Sequence, residues 1–568
     1  MFRIVKFLKG YYKESIIAPL FKMLEASFEL IIPLITAHII DVGIKNNDTA
    51  LILKMGGVLV GLGVLGLICS LIAQYFAAKA AMGFGKALRS ALFSHISSFS
   101  YAQIDKIGTP TLINRIVTDA TQAQTGVNMT LRLFLRSPFI VVGAVFMAMT
   151  IDLKLTLIFL ICVPLIAGAI YLIMRFTTPG YKKIQGKVDR VSKSMRENLS
   201  GVRVIRAFSQ QKRESREFSE TNDELSGMQQ SVGLISALLN PITYVIVNLA
   251  IVAIMYFGGG FVYSGVISQG DITALINYMT QILIALIALG NFIVILTKAL
   301  ASCSRVLDIL DTPAIITDGE GAVPSGDISI EFKNVFFRYS DEGDCALSDI
   351  TFSAKKGETI GIIGGTGSGK STLIHLIPRF YDVSDGEILF GNKNVKEFKL
   401  RDLREKIGVV PQKAVLFRGN IRENMLWGNK NATDDEIFNA LEIAQASDFV
   451  REKGLDFLIE EGGKNLSGGQ KQRLTIARAL IKKPDILILD DSASALDFAT
   501  DSKLRRALSE KTDGMTVFIV SQRANAVKNS DKILVLDDGE IVGCAKHAEL
   551  FDSCEIYREI CESQGVEK

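Results

Sequence analysis

Thr359-Ile360-Gly361-Ile362-Ile363, followed at once by Gly364-Gly365-Thr366-Gly367-Ser368-Gly369-Lys370-Ser371, decides how the carboxyl-terminal half folds. The first five residues form a short apolar run of strand composition. The next eight fit G-x-x-x-x-G-K-S/T, and an apolar helical run follows, so the motif stands in a strand–loop–helix context. Glycine lets the backbone curl until successive N–H groups point inward at anionic oxygens, and the following helix offers its positive end. Lys370 is then placed to reach the terminal phosphates of a nucleotide, and Ser371 to coordinate Mg2+ beside them.

Two more elements extend this reading. Ile486-Leu487-Ile488-Leu489-Asp490 is a buried strand that delivers one carboxylate at its end, where a phosphate-bound Mg2+ is held. Between the two lies Leu466-Ser467-Gly468-Gly469-Gln470, a Ser-Gly-Gly turn entering a helix and a second anion-binding helix start. Two such starts in one domain point to a nucleotide sandwiched between two copies. Ile328, Ile330 and Phe332 alternate with polar residues, and short apolar runs recur at Val517–Val520 and Ile533–Leu536 with helical stretches between. The pattern predicts an α/β domain with a largely parallel sheet over 328–568, preceded by a linker rich in Gly, Pro, Asp and Thr at 311–327.

The first 310 residues follow a different pattern. Between Ser231 and Thr297 the only formal charge is Asp271. A membrane span needs about 20 apolar residues, and six such segments are expected, near 16–44, 55–78, 132–151, 155–174, 232–263 and 272–297. The first carries Lys22, Glu25, Glu29 and His38, which are costly in lipid. They read either as part of a substrate pathway or gate, or as intramembrane pairs, Lys22 with Glu25 at i,i+3. Arg132 and Arg136, at the start of the third span, carry the same ambiguity. Phe2–Tyr12, with Arg3, Lys6 and Lys9, reads as an amphipathic helix at the membrane surface, and no signal-peptide cleavage site follows it. Twelve basic residues in Arg175–Gln230, against none in Phe257–Gly270, place the amino terminus, the 79–131 and 175–230 segments and everything after Lys298 in the cytoplasm. The two long segments are expected as helices running on beyond the lipid, with connectors near Ser100–Gly108 and Phe208–Glu217.

Composition excludes other classes. In 568 residues hydrophobic side chains make up 48% and charged ones 22%, and the mean hydropathy is +0.29. Disorder and collagen are ruled out. Seven scattered cysteines with no CxxC pair support neither a zinc ribbon nor a disulfide framework. A net charge of +3 gives no reason to expect nucleic-acid binding.

The order of phosphate loop, LSGGQ and apolar strand ending in Asp, behind six spans, resembles the ATP-binding cassette (ABC) transporters, and among them the type IV exporter half-transporters of the multidrug, lipid and peptide class. The resemblance covers nearly the whole chain. It implies a six-helix membrane domain followed by an ABC nucleotide-binding domain, in the plasma membrane, with ATP and Mg2+ as ligand and cofactor. It implies nucleotide contacts from Tyr339 (stacking on adenine), Gly364 to Ser371, Thr372, Gln412 of the Q-loop (also near Mg2+), Ser467, Gly468, Gly469, Gln470 and Asp497. Ser371, Gln412 and Asp490 would serve the metal. Glu461 matches the acidic residue before the signature, Ser494-Ala495-Leu496-Asp497 the D-loop, and the two connectors the coupling helices.

Two positions depart from the family pattern. Glu is expected after the strand-ending Asp, as the base or water-orienting group, and here stands Asp491. A switch-loop His is expected after the Thr516–Val520 strand, and here Gln522 stands in, which cannot carry a proton as His does. LSGGQ is intact. The expectation is therefore a heterodimer with a second half-transporter, in which this chain's own phosphate loop forms a degenerate, slow site and its LSGGQ completes the partner's competent one. A slow homodimer and an ATP-operated regulatory or channel-like subunit are the alternatives. The cargo expected is a small amphiphile (drug, lipid or peptide), moved by alternating access.

Overall fold

The computed structural model describes residues 2–323, 329–340, 343–492, 496–511 and 514–567. Contacts divide the chain into two compact units. One runs up to Ser97 and over Thr109–Pro313; the other joins Ser98–Gly108 to everything from Ala314 on.

The first unit holds six helices long and apolar enough to cross a membrane, Tyr12–Ile44, Thr49–Ile96, Thr109–Ile151, Leu153–Ser200, Gln211–Tyr263 and Gln269–Asp311. Each expected span lies inside one of them. The helices are longer than the lipid requires because the flanking segments are rich in Lys, Arg, Glu and Gln, which favour helix. At 1.5 Å per residue a 48-residue helix reaches about 72 Å, more than twice the hydrocarbon thickness. The starts are capped by side chains. Asp48 accepts from the Leu51 N–H, Asp152 from Leu155, and Ser268 forms a reciprocal box with Asp271. Two breaks have a proline cause. The third span is interrupted at Phe134 and Leu135, where Pro138 has no N–H for the Phe134 carbonyl, and the fifth at Leu238, where Pro241 has none for Ala237.

The charges of the first span are paired. Lys22 Nζ donates to Glu25 Oε2 at 2.6 Å and to Ser70 Oγ of the second span at 3.0 Å. Arg136 Nη2 donates to both Glu29 oxygens, at 2.7 and 2.9 Å. Near the start of the sixth span, Asp41 accepts from the Gly270 N–H at 2.8 Å and from Ser268 Oγ, tying the ends of the first and sixth spans together.

The first connector is the helix Tyr101–Ile107, opened by a Ser100/Gln103 capping box and closed at Gly108, inside the expected 100–108. The second needs correction. The short connector helix is Val202–Ala207, ahead of the expected Phe208–Glu217, and only the turn Phe208–Gln210 falls within that range, because the next long helix begins at Gln211. Gly201 ends the long helix, and Ser209 at φ +54° ends the short one, whereas Lys212 to Glu217 are good helix formers and start the next.

In the second unit the strands Glu540–Ala545, Lys532–Asp537, Thr359–Gly364, Thr516–Val520, Ile486–Asp490 and Ile407–Val410 lie side by side in that order. All neighbours are parallel except the first pair. The central strands are apolar without alternation because helices cover both faces of such a sheet. A second, antiparallel sheet, absent from the expectation, joins Leu347–Ala354, Ile330–Phe337, Asp385–Phe390 and Lys393–Asn394. Phe332 and Phe352 stack across it at 4.6 Å between centroids. Ile328 lies outside the described residues, as do 324–327 of the expected linker. The part of the linker that is described is not free chain. Gly319 and Gly321 donate to Phe398 O and Glu397 O, and Asp318 accepts from the Leu400 N–H. Ile316 is buried, so the second unit begins at Ala314, ahead of the expected boundary.

Candidate nucleotide site

The phosphate loop joins the strand Thr359–Gly364 to the helix Lys370–Leu376. Glycine is required at two of its positions. At Gly364 a Cβ would sit 2.0 Å from Leu536 O, and Gly369, at φ +91°, would bring one within 2.8 Å of Ala346 O. Lys370 Nζ donates to Gly364 O at 3.0 Å, to Gly365 O, and to Ser368 Oγ at 3.2 Å. All three of its protons therefore point into the loop. Burial pushes the Lys370 ammonium below its usual pKa, against the pull of Asp491 and Asp490.

Asp490 ends its strand at 4% exposure and accepts from Ser371 Oγ at 3.0 Å. Burial raises the Asp490 carboxyl above the ordinary carboxylate range, and the Ser371 hydroxyl opposes that rise. A hydroxyl and a buried carboxylate side by side are the donor set a hard divalent cation takes, so these residues fit Mg2+. Asp491 follows at φ +41°, a left-handed conformation that Asp tolerates, with its N–H donating to Val520 O. Burial also raises the Asp491 carboxyl, and Gln412 Nε2 stands 3.5 Å from its Oδ2, at the outer limit of a hydrogen bond.

A cavity of about 310 Å³ brings these groups together. Tyr339, Thr366, Gly367, Gly369, Lys370, Ser371, Thr372, Gln412, Asp490, Asp491 and Gln522 line it, with Ala346, Val520 and Ser521. They come from the parallel sheet, from the helix Lys370–Leu376 and from loops up to 183 positions apart in the chain. Tyr339 is half exposed, with its hydroxyl 2.9 Å from Thr372 Oγ1. Gln522 occupies the expected switch position, and its main-chain carbonyl accepts from Gln564 Nε2 at 2.8 Å.

The signature residues do not line this cavity. Ser467 and Gln470 form a reciprocal capping box that opens the helix Gly468–Ile481. The amino-terminal end of that helix does not line the cavity of this chain's own phosphate loop. Asp497 caps the next helix, accepting from the Thr500 N–H at 3.1 Å. Ser494 and Ala495 lie outside the described residues. Glu461, in a short 3-10 turn, is exposed and away from the cavity.

One part of the site has no signature in the sequence. Tyr381 OH donates to Asp105 Oδ2 of the connector helix at 2.8 Å. Its ring lies edge-on to Tyr339 at 5.4 Å, and Tyr101 packs against Phe380 at 4.7 Å. The Tyr101–Ile107 helix is thus linked through one buried tyrosine to the aromatic at the mouth of the cavity. Removing the hydroxyl in Tyr381→Phe should loosen that helix by about 1 kcal/mol, the worth of one hydrogen bond. Amide hydrogen exchange checks this: 98–108 should exchange roughly fivefold faster while the parallel sheet is unchanged.

Residues 15–286 match the family described as ABC transporter transmembrane region, and residues 347–494 the family described as ABC transporter. An uncharacterised ABC transporter ATP-binding protein of Mycobacterium tuberculosis is 36% identical over 94% of this chain and 93% of its own. An ATP-dependent lipid A-core flippase of Hahella chejuensis is 31% identical over 100% of this chain and 97% of its own. Among solved structures, a bacterial Atm1-family ABC exporter with ATP bound superposes with a TM-score of 0.82 at 23% identity, covering 98% of this chain and 99% of the other.

Proposed function

Given that this chain belongs to the ABC transporter family, as a type IV exporter half-transporter, we propose that it is the weakly hydrolysing half of a heterodimer that exports an amphiphilic solute. The protein is a multi-pass membrane protein with a cytoplasmic ATP-binding domain, and its family couples ATP hydrolysis to transport.

The observation that carries it is the asymmetry of the cavity. The residues lining the cavity support nucleotide binding: we read Tyr339 as the group for the base, the loop glycines and Lys370 for phosphate, and Ser371, Asp490 and Gln412 for Mg2+. When bound, that ion draws charge from the phosphates. The two positions that would act on the attacking water are the ones that depart from the family pattern. Asp491 ends one methylene short of Glu, about 1.5 Å, and Gln522 can donate a hydrogen bond to a phosphate oxygen but neither carries a positive charge nor transfers a proton. Meanwhile Ser467, Gly468, Gly469 and Gln470 present an intact helix start, the half a partner's phosphate loop needs.

Turnover then divides between two unlike sites. ATP at both closes the nucleotide domains, the connector helices pass closure to the spans, and hydrolysis at the partner's site resets the cavity. A trapped-nucleotide measurement tests this directly. After several turnovers the assembled pair should retain about one unhydrolysed nucleotide, held at Lys370. Equal loss of label from both sites refutes the heterodimer and favours the slow homodimer, for which the presence of a carboxylate at Asp491 speaks.

A further inference from the structure

Resting on the reading of Gln522 as a phosphate-bonding group, the inference concerns what aims it. A side chain carried on a loop is placed less precisely than one on a strand or helix unless other residues hold the loop. The backbone on the far side of Gln522 is held. The peptide joining Gln522 to Arg523 has its carbonyl accepting from Gln564 Nε2 at 2.8 Å and its N–H donating to Ser521 Oγ at 3.0 Å. The next peptide has its N–H, that of Ala524, donating to Gln564 Oε1 at 2.8 Å. One side-chain amide thus uses its donor on one peptide plane and its acceptor on the following one. Upstream, the Ser521 N–H donates to Ile362 O of the neighbouring strand at 3.1 Å, so the loop leaves the sheet from a fixed point.

Gln564 is fastened in turn. It follows the helix Glu555–Ser563, and beyond it the chain turns back, the Val566 N–H donating to Cys561 O at 2.9 Å. Val566 is buried in one apolar cluster with Ala524, Val527 and Tyr557. The same cluster takes in Ile363, which directly precedes the phosphate loop. The Glu567 carbonyl accepts from Lys528 Nζ at 2.9 Å and from His547 Nε2 at 3.2 Å. The segment carrying Gln564 is therefore tied to the residues after Gln522 and packed on the strand that enters the phosphate loop. Gln564 is exposed, and a hydrogen bond in water adds little stability by itself. What two such bonds from one amide do fix is direction.

We propose that Gln564 is the positioning residue of this loop. By clamping the Gln522 carbonyl and the Ala524 N–H it aims the Gln522 side chain at the terminal phosphate of bound ATP. It thereby sets how strongly this site prefers ATP to ADP, since a group that meets only the γ-phosphate acts as a difference between two affinities.

The test uses the whole chain in nanodiscs with Mg2+, and measures ATP and ADP affinities in the cold by displacement of a fluorescent ATP analogue. Gln522→Ala should weaken ATP about tenfold, the worth of one hydrogen bond to a charged group, and leave ADP within about twofold. Gln564→Met, equal in length but without the amide, should weaken ATP about fivefold with ADP again little changed. The decisive variant carries both substitutions. Because Gln564 acts through Gln522, the double variant should lose no more than Gln522→Ala alone. Losses that multiply, or an equal loss for ADP, mean that Gln564 supports the fold in general and overturn the inference. A wild-type chain that binds both nucleotides alike overturns it too. A wild-type chain that binds neither overturns the exporter reading itself, which keeps the two failures apart.

Discussion

Asp491→Glu combined with Gln522→His, in the chain purified without a mate, should raise ATP turnover by about 10²-fold. On the proposed reading, each phosphate loop in a pair of identical chains would face an intact LSGGQ, and Asp491 and Gln522 are the two positions at which the site departs from the family pattern. The carboxylate of Asp491 points into the cavity with Gln412 as its neighbour at 3.5 Å. Adding one methylene carries it forward by about 1.5 Å, and a displacement near 1 Å is worth about 10² in rate when a reacting group must be held in line. Asp491→Glu alone should supply most of the gain, because orienting the water precedes stabilising the leaving phosphate. Gln522→His alone should do little. Steady-state phosphate release decides it. A wild-type chain already turning over at the doubly substituted rate would falsify the degenerate site.

The second large effect appears only in the assembled pair. Gly468→Asp should cut turnover by 10² or more, because it places a carboxylate at the helix start that, on the proposed reading, receives the γ-phosphate bound by the partner. Losing one preorganised donor at developing charge costs about 10²–10³, and reversing the sign is worse. Asp491→Asn in the same pair should lower turnover by less than about twofold if, as proposed, that carboxylate serves the slow site. The two substitutions lie in one domain of one polypeptide, so the contrast between them measures which site burns ATP. Comparable losses from both would mean that the sites work equally.

Much of the site could be read in the chain's order. The phosphate loop, the strand ending at Asp490 and the Ser467 capping box are each contiguous. Their chemistry depends on neighbours a few residues away, and the structure shows each in the local form its residues dictate. The spans were legible for a related reason: length and absence of charge are properties of a single segment. The ends of the helices were less so. Pro138 and Pro241 break helices that hydropathy treats as unbroken, and the second connector falls at Gly201–Gln210 because charged residues after it prefer helix.

Tyr381 marks where reading by order stops. Nothing beside it in the chain announces that it meets Asp105, 276 positions earlier, because that bond exists only once the Tyr101–Ile107 helix packs on the second unit. The antiparallel sheet is similar. Its alternation was visible at Ile330 and Phe332, but pairing with Asp385–Phe390 is a long-range matter. The pairing of Lys22 with Glu25, one of the two readings their sequence allows, follows from their being one helical turn apart, whereas the match of Arg136 with Glu29 needs two spans in contact.

Sequence alone therefore determined the two kinds of matter here, lipid-length apolar helices and a phosphate-cradling α/β domain, together with the shortened carboxylate at Asp491 and the missing imidazole at Gln522. Each is a property of residues within one turn or one strand. Tertiary structure alone decided that Tyr339, Gln412, Asp491 and Gln522 share one cavity, that a connector helix belongs to the nucleotide-binding unit, and that Arg136 of the third span pairs with Glu29 of the first. Those outcomes depend on which surfaces pack together, and packing is settled by the whole chain at once.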